Sequence, residues 1–376
     1  MAPDLSTTFT GIRFENPFLL SSAPPTESES NILRAFEAGW GGVVTKTIGL
    51  HPVVNVAGPK TKFLRSYAAG VLSMNKGRDG TLHSSWNWEL ISDKPLDWWV
   101  PRLGRIKKAF PNRVLIASIM AGSGSDKELA NWQTLARACQ DQGADGLELN
   151  LSCPHMDRED MGSNIGKDQK LCSRVTQVVK EVATIPVWSK LTPSTTDIAM
   201  EAGAVFAGGG DAVVSSNTFP SLPLIDPETL DFEMNVDGLV SSGGLGGPAI
   251  LPQSLAKMSQ MTRAFPEKSF SGIGGISDFA QALNFFLLGC GTVQVCTAAM
   301  LDHAVGPNVI AGLIGGLTEF LDRHADKGWR RPEDIRGLRR DRIVPHSQIR
   351  RPDSKDYFGG HDAPEGYAPA DVEKQH

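Results

Sequence analysis

Eight short apolar runs, separated by longer amphipathic segments, restrict the fold more than any other feature of this sequence. They are "PFLLSSA" (17–23), "GGVVTKT" (41–47), "VLIASIM" (114–120), "GLELNLS" (146–152), "PVWSKLT" (186–192), "AVVSSNT" (212–218), "FSGIGG" (270–275) and "TVQVCTA" (292–298). Several are apolar at nearly every position, as expected of strands covered on both faces. Between them lie segments with helical spacing, such as "ESNILRAFEAGW" (29–40) and "KELANWQTLARACQDQ" (127–142). Helix ends near glycine, as in "DQGADG" and "LLGCG", suit a left-handed C-cap. Eight strand–helix units predict an α/β fold of the (β/α)8 TIM-barrel kind. An open doubly wound sheet would more often put a glycine-rich loop after its first strand, and none stands there.

Two connections are too long for plain loops: residues 48–97 after the second strand and 219–246 after the sixth. Both follow strands, so both are expected as insertions at the C-terminal face, where barrel active sites gather. From about Arg323 the character changes. "GWRRPEDIRGLRRDR" is charged, and the chain beyond it is polar and rich in Pro, Gly and Asp. The expected organisation is a barrel over 1–322 and a polar C-terminal extension over 323–376, an arm on the surface or toward a neighbour. Its basic cluster reads most simply as a solvated face.

Composition removes several function classes. A net charge of −5 argues against nucleic acid as the main partner. No apolar run reaches the roughly 18 residues of a membrane span, and the N-terminus lacks the pattern of a signal peptide. The five cysteines are Cys139, Cys153, Cys172, Cys290 and Cys296. No CxxC pair occurs, so neither a zinc site nor an iron–sulfur cluster has its usual spacing, and no metal site is expected. Reduced thiols in a cytoplasmic protein are the simplest reading.

Polar residues collect at the C-terminal ends of the strands: Lys46, Asn150, Ser152, Lys190, Asn217 and Thr218. Any one of them would serve equally well as a loop residue satisfying local backbone groups. Their convergence on one rim points to a binding site. "SGIGGIS" (271–277) and "QVCTAAM" (294–300) close the seventh and eighth strands and open helices. Loops seven and eight are where barrels commonly hold phosphate, and glycine lets backbone approach an anion closely. A phosphate site, two lysines and an asparagine rim suit flavin mononucleotide (FMN). A cation near the N1–C2 carbonyl edge would stabilise the anionic reduced flavin. Lys190, inside an apolar strand, is the better candidate, with Lys46 second. Cys153 follows the fourth strand, before the polar, glycine-bearing segment "PHMDREDMGSNIGKD", which suits a mobile lid. A free thiol there is a candidate for proton transfer, with His155 to tune it or to bind a substrate carbonyl.

"TKTIG", "WNWELIS", "NLSCPH", "SKLTP", "SSNT", "SGIGGIS" and "QVCTAAM" occur in this order. Together they resemble the flavin-binding barrel of dihydropyrimidine dehydrogenases, within the dihydroorotate dehydrogenase superfamily. The resemblance runs from about residue 5 to about residue 345. It implies that Cys153 protonates C5 of a bound uracil or thymine while reduced FMN delivers hydride to C6, with Cys153 as base in the reverse direction. It implies that Asn87, Asn150, Ser152, Asn217 and Thr218 hydrogen-bond the pyrimidine's amide edges, since an Asn side chain offers both donor and acceptor. Lys46 and Lys190 would face the flavin and Ala23 would lie along the isoalloxazine. Gly244, Gly274, Gly275, Cys296 and Thr297 would line FMN and its phosphate. His155, where dihydroorotate enzymes that use cysteine typically carry Asn, favours a neutral pyrimidine over orotate.

Dihydropyrimidine dehydrogenases usually carry a cysteine-rich cluster segment after the barrel, and here a polar tail comes after "IVPHSQI". Three explanations stay open: a partner subunit supplies the electrons, the barrel takes them directly from a soluble donor or NAD(P)H, or the substrate has changed. A dihydroorotate dehydrogenase, a reductase of another unsaturated cyclic amide and a non-catalytic flavin-binding subunit are the alternative functions. A homodimer is the expected assembly.

Overall fold

The computed structural model describes residues 2–66, 72–73, 81–154, 156 and 158–349. It comprises two compact units, Met1–Arg340 and Asp341–His376. In the first, eight parallel strands close a barrel in the cyclic order of the chain. They are β1 (Phe18–Leu20), β2 (Gly42–Val44), β3 (Val114–Ile119), β4 (Gly146–Leu151), β5 (Val187–Leu191), β6 (Ala212–Ser215), β7 (Ser269–Ile273) and β8 (Thr292–Val295). Each coincides with one of the eight apolar runs, so the expected (β/α)8 barrel is the fold.

The outer layer consists of α1 (Glu29–Ala38), α2 (Leu96–Ala109), α3 (Asp126–Asp141), α4 (Gln169–Lys180), α5 (Ile198–Ala207), α6 (Leu251–Ala264), α7 (Phe279–Leu288) and α8 (Pro307–Arg323). Their starts are fixed by side chains that accept from free first-turn N–H groups: Ser28 for α1, Ser125 for α3, Asp168 for α4, Asp197 for α5 and Asp278 for α7. Gly39 and Gly289 end α1 and α7 at φ 106° and 117°, which glycine adopts without steric cost. Apolar faces such as Ile32, Ala35 and Phe36 of α1 and Ala282, Phe285 and Phe286 of α7 are buried against the barrel wall.

The lumen is filled from the bottom. A hairpin, Thr7–Phe9 with Ile12–Phe14, sends Phe9 and Phe14 into a cluster with Leu19, Val44, Ile116, Trp188 and Val214. Phe9 meets the Trp188 ring edge-on at 5.1 Å, and Thr10 Oγ1 accepts from Trp188 Nε1 at 2.9 Å. This plug closes one end, so any ligand space must lie at the other.

The two long connections do more than insert loops. Thr61–Ser66, Leu72–Ser73 and Thr81–Asn87 from the first join Phe219–Ser221 and Gly243–Gly246 from the second in one five-stranded antiparallel sheet. Trp86, Trp88, Leu64 and Met234 form its own small core. Gly243 is required there, because a Cβ would lie 2.2 Å from the Trp86 ring.

The first unit continues past the expected boundary at 322. Ile335 is fully buried, Gly337 N–H donates to Phe286 O, and Glu333 accepts from Thr7 Oγ1. This charged segment therefore packs on α7 and the N-terminal hairpin rather than lying free. In the second unit a short 3-10 turn spans His346–Gln348, and residues from 350 onward lie outside the described ones. Among the described residues no helix is long and apolar enough to cross a membrane.

Candidate active site

The C-terminal ends of the barrel strands and the inner edge of the insertion sheet enclose about 950 Å3 of empty space, including its open mouth. Ala23 of the β1 loop, Lys46 after β2, Asn150 and Cys153 of β4 and its loop, and Lys190 of β5 line it. Asn217 and Thr218 after β6, Gly274 and Gly275 after β7, and Cys296 and Thr297 after β8 complete the barrel side, and Asn87 reaches in from the sheet. Ser152 and Gly244 do not line the cavity, and His155 lies outside the described residues.

Ser152 braces its neighbours instead. Its N–H and Oγ donate to Asn150 Oδ1 at 3.1 and 2.8 Å, and its O and Oγ accept from Asn217 Nδ2 at 3.2 and 3.0 Å. Asn150 Nδ2 donates to Thr47 Oγ1 at 2.9 Å, and Thr47 Oγ1 also shares hydrogen bonds with Ser22 and Ser118. Thr218 N–H donates to Asn217 Oδ1 at 2.7 Å. The result is one continuous chain of hydrogen bonds around the mouth from β1 to β6. A network of this kind holds amide groups in fixed orientations.

The two lysines differ in state. Lys46 Nζ lies 3.0 Å from Glu89 Oε2, and Glu89 Oε1 accepts from Thr61 Oγ1. Asn87 supports Glu89 by accepting from its N–H at 3.2 Å, while its own Nδ2 donates to Gly244 O. Lys190 is 4% exposed, and among the described residues no carboxylate forms an ion pair with it. A buried ammonium at a cavity wall is costly unless a ligand meets it. Sequence motifs alone do not single out Glu89, Thr61 or Thr47. Glu89 stands inside "WNWELIS", but its partner Lys46 is 43 residues away.

Glycine shapes the opposite wall. Gly274 and Gly275 have φ 121° and 87°, and added Cβ atoms would lie 2.2 Å from Ser254 Oγ and 2.6 Å from Leu251 Cβ of α6. Only glycine lets this loop lie flat on the helix and leave the cavity clear. Gly244 serves packing: a Cβ there would lie 2.1 Å from Thr218 Oγ1. Gly246 and Gly247, two and three residues on, are the ones that line the cavity. Thr297 Oγ1 shares a 2.9 Å hydrogen bond with Ser85 Oγ, tying β8's loop to the sheet. Burial pushes the Cys296 thiol up to about 11, against the pull of Lys190 and Lys46, so it stays protonated at neutral pH.

Cys153 is 5% exposed and faces the cavity at the start of the β4 loop. The loop folds back on it, with Ser163 N–H donating to Cys153 O at 2.9 Å. Its outer part docks on α3 through Arg158, which pairs with Glu128 at 3.0 Å, and on the β3–α3 connection through Asp160, which accepts from Gly124 N–H at 3.0 Å and pairs with Arg158 at 2.7 Å. Gly166 closes the loop where a Cβ would lie 1.9 Å from Leu151 O. Gly166→Ala should therefore destabilise the protein by roughly 1–3 kcal/mol, since backbone must move. Thermal unfolding checks this, and an unchanged midpoint would refute the close approach.

Cationic, amide and thiol groups meet in one concave site at the catalytic face of a (β/α)8 barrel, the arrangement of a small-molecule enzyme. The chain belongs to the dihydroorotate dehydrogenase family, whose model, described as Dihydroorotate dehydrogenase, matches residues 4–321. It is 36% identical over 334 residues to Dihydropyrimidine dehydrogenase (NADP(+)), chloroplastic, of Arabidopsis thaliana, covering 86% of this chain and 74% of that protein. It is 36% identical over 354 residues to NAD-dependent dihydropyrimidine dehydrogenase subunit PreA of Escherichia coli (strain K12), covering 93% and 80%. Dihydroorotate dehydrogenase B (NAD(+)), catalytic subunit, of Methanothermobacter thermautotrophicus is 31% identical over 319 residues, covering 84% and 93%.

Proposed function

We propose that this chain is an FMN-dependent oxidoreductase acting on the C5–C6 bond of a neutral pyrimidine such as uracil or thymine. The observation that carries this reading is the meeting of Cys153, the Asn150–Ser152–Asn217 network and Lys190 in one cavity. The dihydropyrimidine names of the relatives at 36% identity support it.

The residues present fit FMN. Lys190 offers a buried cation without a carboxylate partner, and the Ser21 and Ser216 hydroxyls on the cavity wall are buried without hydrogen-bond partners among the described residues. The loops bearing Gly247, Gly274, Gly275 and Thr297 would hold the phosphate. Ala23 would lie along the ring system, and Lys46 and Cys296 would border it. When bound, FMN supplies or accepts the hydride at C6.

The chain's own residues do the rest. Cys153 gives a proton to C5, or takes one from it in the oxidative direction. Asn150 and Asn217, oriented through Ser152, and Asn87 and Thr218 hold the pyrimidine's amide edges, with His155 a further contact from the lid. The loop from Cys153 to Gly166 excludes water while the proton moves.

A dihydroorotate reading rests on the family model and the relative at 31% identity. Orotate carries a carboxylate that needs a cation of its own. Lys46 is already neutralised by Glu89, which leaves Lys190 for the flavin. This favours the neutral substrate. The electrons in this reading come from NAD(P)H, through a separate subunit of the kind that the relatives' names "subunit" and "catalytic subunit" imply for those proteins. None of the five cysteines is in a disulfide, which fits a reducing cytoplasm.

The purified protein should be yellow and release FMN. After anaerobic reduction, uracil or thymine should reoxidise it faster than orotate. Faster reoxidation by orotate would move the assignment to dihydroorotate, and a colourless protein that cannot be reconstituted with FMN would refute the flavin reading.

A further inference from the structure

Below Asn150 on the lumenal side of β4 stands Glu148, and neither sequence motif nor proposed chemistry uses it. It is fully buried, as is Gln294 of β8, whose Nε2 donates to Glu148 Oε2 at 2.9 Å. Gln294 in turn lines the cavity, so the pair forms part of its floor. The parallel register sets Glu148 beside Trp188 and Asn150 beside Lys190, which places Lys190 one layer above Glu148. Glu148 Oε1 and Gln294 Oε1 have no hydrogen-bond partner among the described residues.

Two physical demands compete here. An ionised carboxylate with one neutral amide donor and one bare oxygen is poorly compensated out of water. The Lys190 ammonium would favour ionisation, as would the Gln294 bond, but burial is the largest influence and pushes the carboxyl up. Among the described residues Lys190 is the one charged group acting on it. The flavin, in the FMN reading, needs a net positive charge at this floor. An ionised Glu148 would cancel Lys190, and a neutral one leaves it whole.

We propose that Glu148 is a positioning residue held as the neutral acid, fixing the Gln294 amide in the cavity floor and leaving Lys190 as the net charge there. This inference rests on the FMN reading for its functional consequence, not for the state of Glu148 itself.

The test compares wild type with Glu148→Gln and Glu148→Ala. The infrared difference spectrum of wild type minus E148Q, taken at neutral pH, should show the carbonyl band of a protonated carboxylic acid. Absence of that band overturns the proposal, and the measurement needs no flavin. In the FMN-loaded protein, the ratio of oxidised to reduced flavin against a redox-indicator dye should change less than about two-fold in E148Q, which keeps an acceptor for Gln294 without adding charge. It should change about ten-fold or more in E148A, which orphans the Gln294 amide. A ten-fold change in E148Q would show that wild-type Glu148 is ionised, and an unchanged ratio in E148A would remove the positioning role. If E148A fails to fold, the infrared band and the E148Q ratio still decide. A wild type that takes up no flavin defeats the FMN reading alone.

Discussion

Cys153→Ala should lose turnover by roughly 100- to 10,000-fold while keeping its flavin spectrum, the range expected when a general acid is removed. Its thiol faces the cavity, and its carbonyl is clamped by the Ser163 N–H. Removing Sγ therefore deletes one proton donor and leaves the loop anchored. Pre-steady-state reduction of a pyrimidine by the reduced protein isolates this step. A rate within two-fold of wild type would take Cys153 out of the mechanism. Cys296 is the internal control. It lines the same cavity, but its thiol lies beside Met300 and is pushed up to about 11. Cys296→Ala should spare the proton-transfer step.

The second large effect is expected at Lys190. Lys190→Met keeps the length and apolar stem of the side chain and removes the charge. A hydrogen bond to a charged group contributes about 1.5–3 kcal/mol, so FMN affinity should fall roughly 10- to 150-fold. The share of flavin held reduced at a fixed potential should fall with it, because a nearby cation favours the added electrons. Lys46→Met should do less to the flavin, since Glu89 already offsets that charge, although it leaves Glu89 without its ion-pair partner. Fluorescence titration of the apoproteins with FMN distinguishes the two. Equal affinities for wild type and K190M would show that Lys190 does not meet the flavin.

The barrel is legible in the sequence because each of its strands is a short apolar run whose register the closed sheet imposes, and five of its eight helices carry their own side-chain caps. The rim is legible in part for the same reason. Asn150, Lys190 and Asn217 sit at or just beyond strand ends, and a strand end in a barrel has one place to go. The insertion sheet is not legible. Thr81–Asn87 pairs with Gly243–Gly246 across more than a third of the chain, and no local pattern announces such a partner. Glu89 is hidden with it, since its role comes from Lys46 and Thr61 rather than from its neighbours in sequence.

Gly244 shows a finer limit. In "SSGGLGG" composition reveals a tight backbone approach but not which glycine faces a ligand, and here packing on Thr218 claims Gly244. The segment "RRPEDIRGL" reads as solvated because charge dominates it. Ile335 and the Glu333–Thr7 hydrogen bond nonetheless fasten it down. Glu148 is inconspicuous because it lies in a run that otherwise reads as a buried strand. A lone carboxylate in such a run is itself a signal, since burial of that group needs a reason.

The insertion sheet is anchored at two staves, β2 and β6, that stand opposite each other in the eight-strand ring. The two points at which its segments leave the barrel thus divide the rim into two arcs. One arc holds β7, β8 and β1 with the glycine loops. The other holds β3, β4 and β5 with Cys153 and the loop that follows it. In the FMN reading the glycine loops of the first arc face the phosphate, and Cys153 faces the substrate from the second.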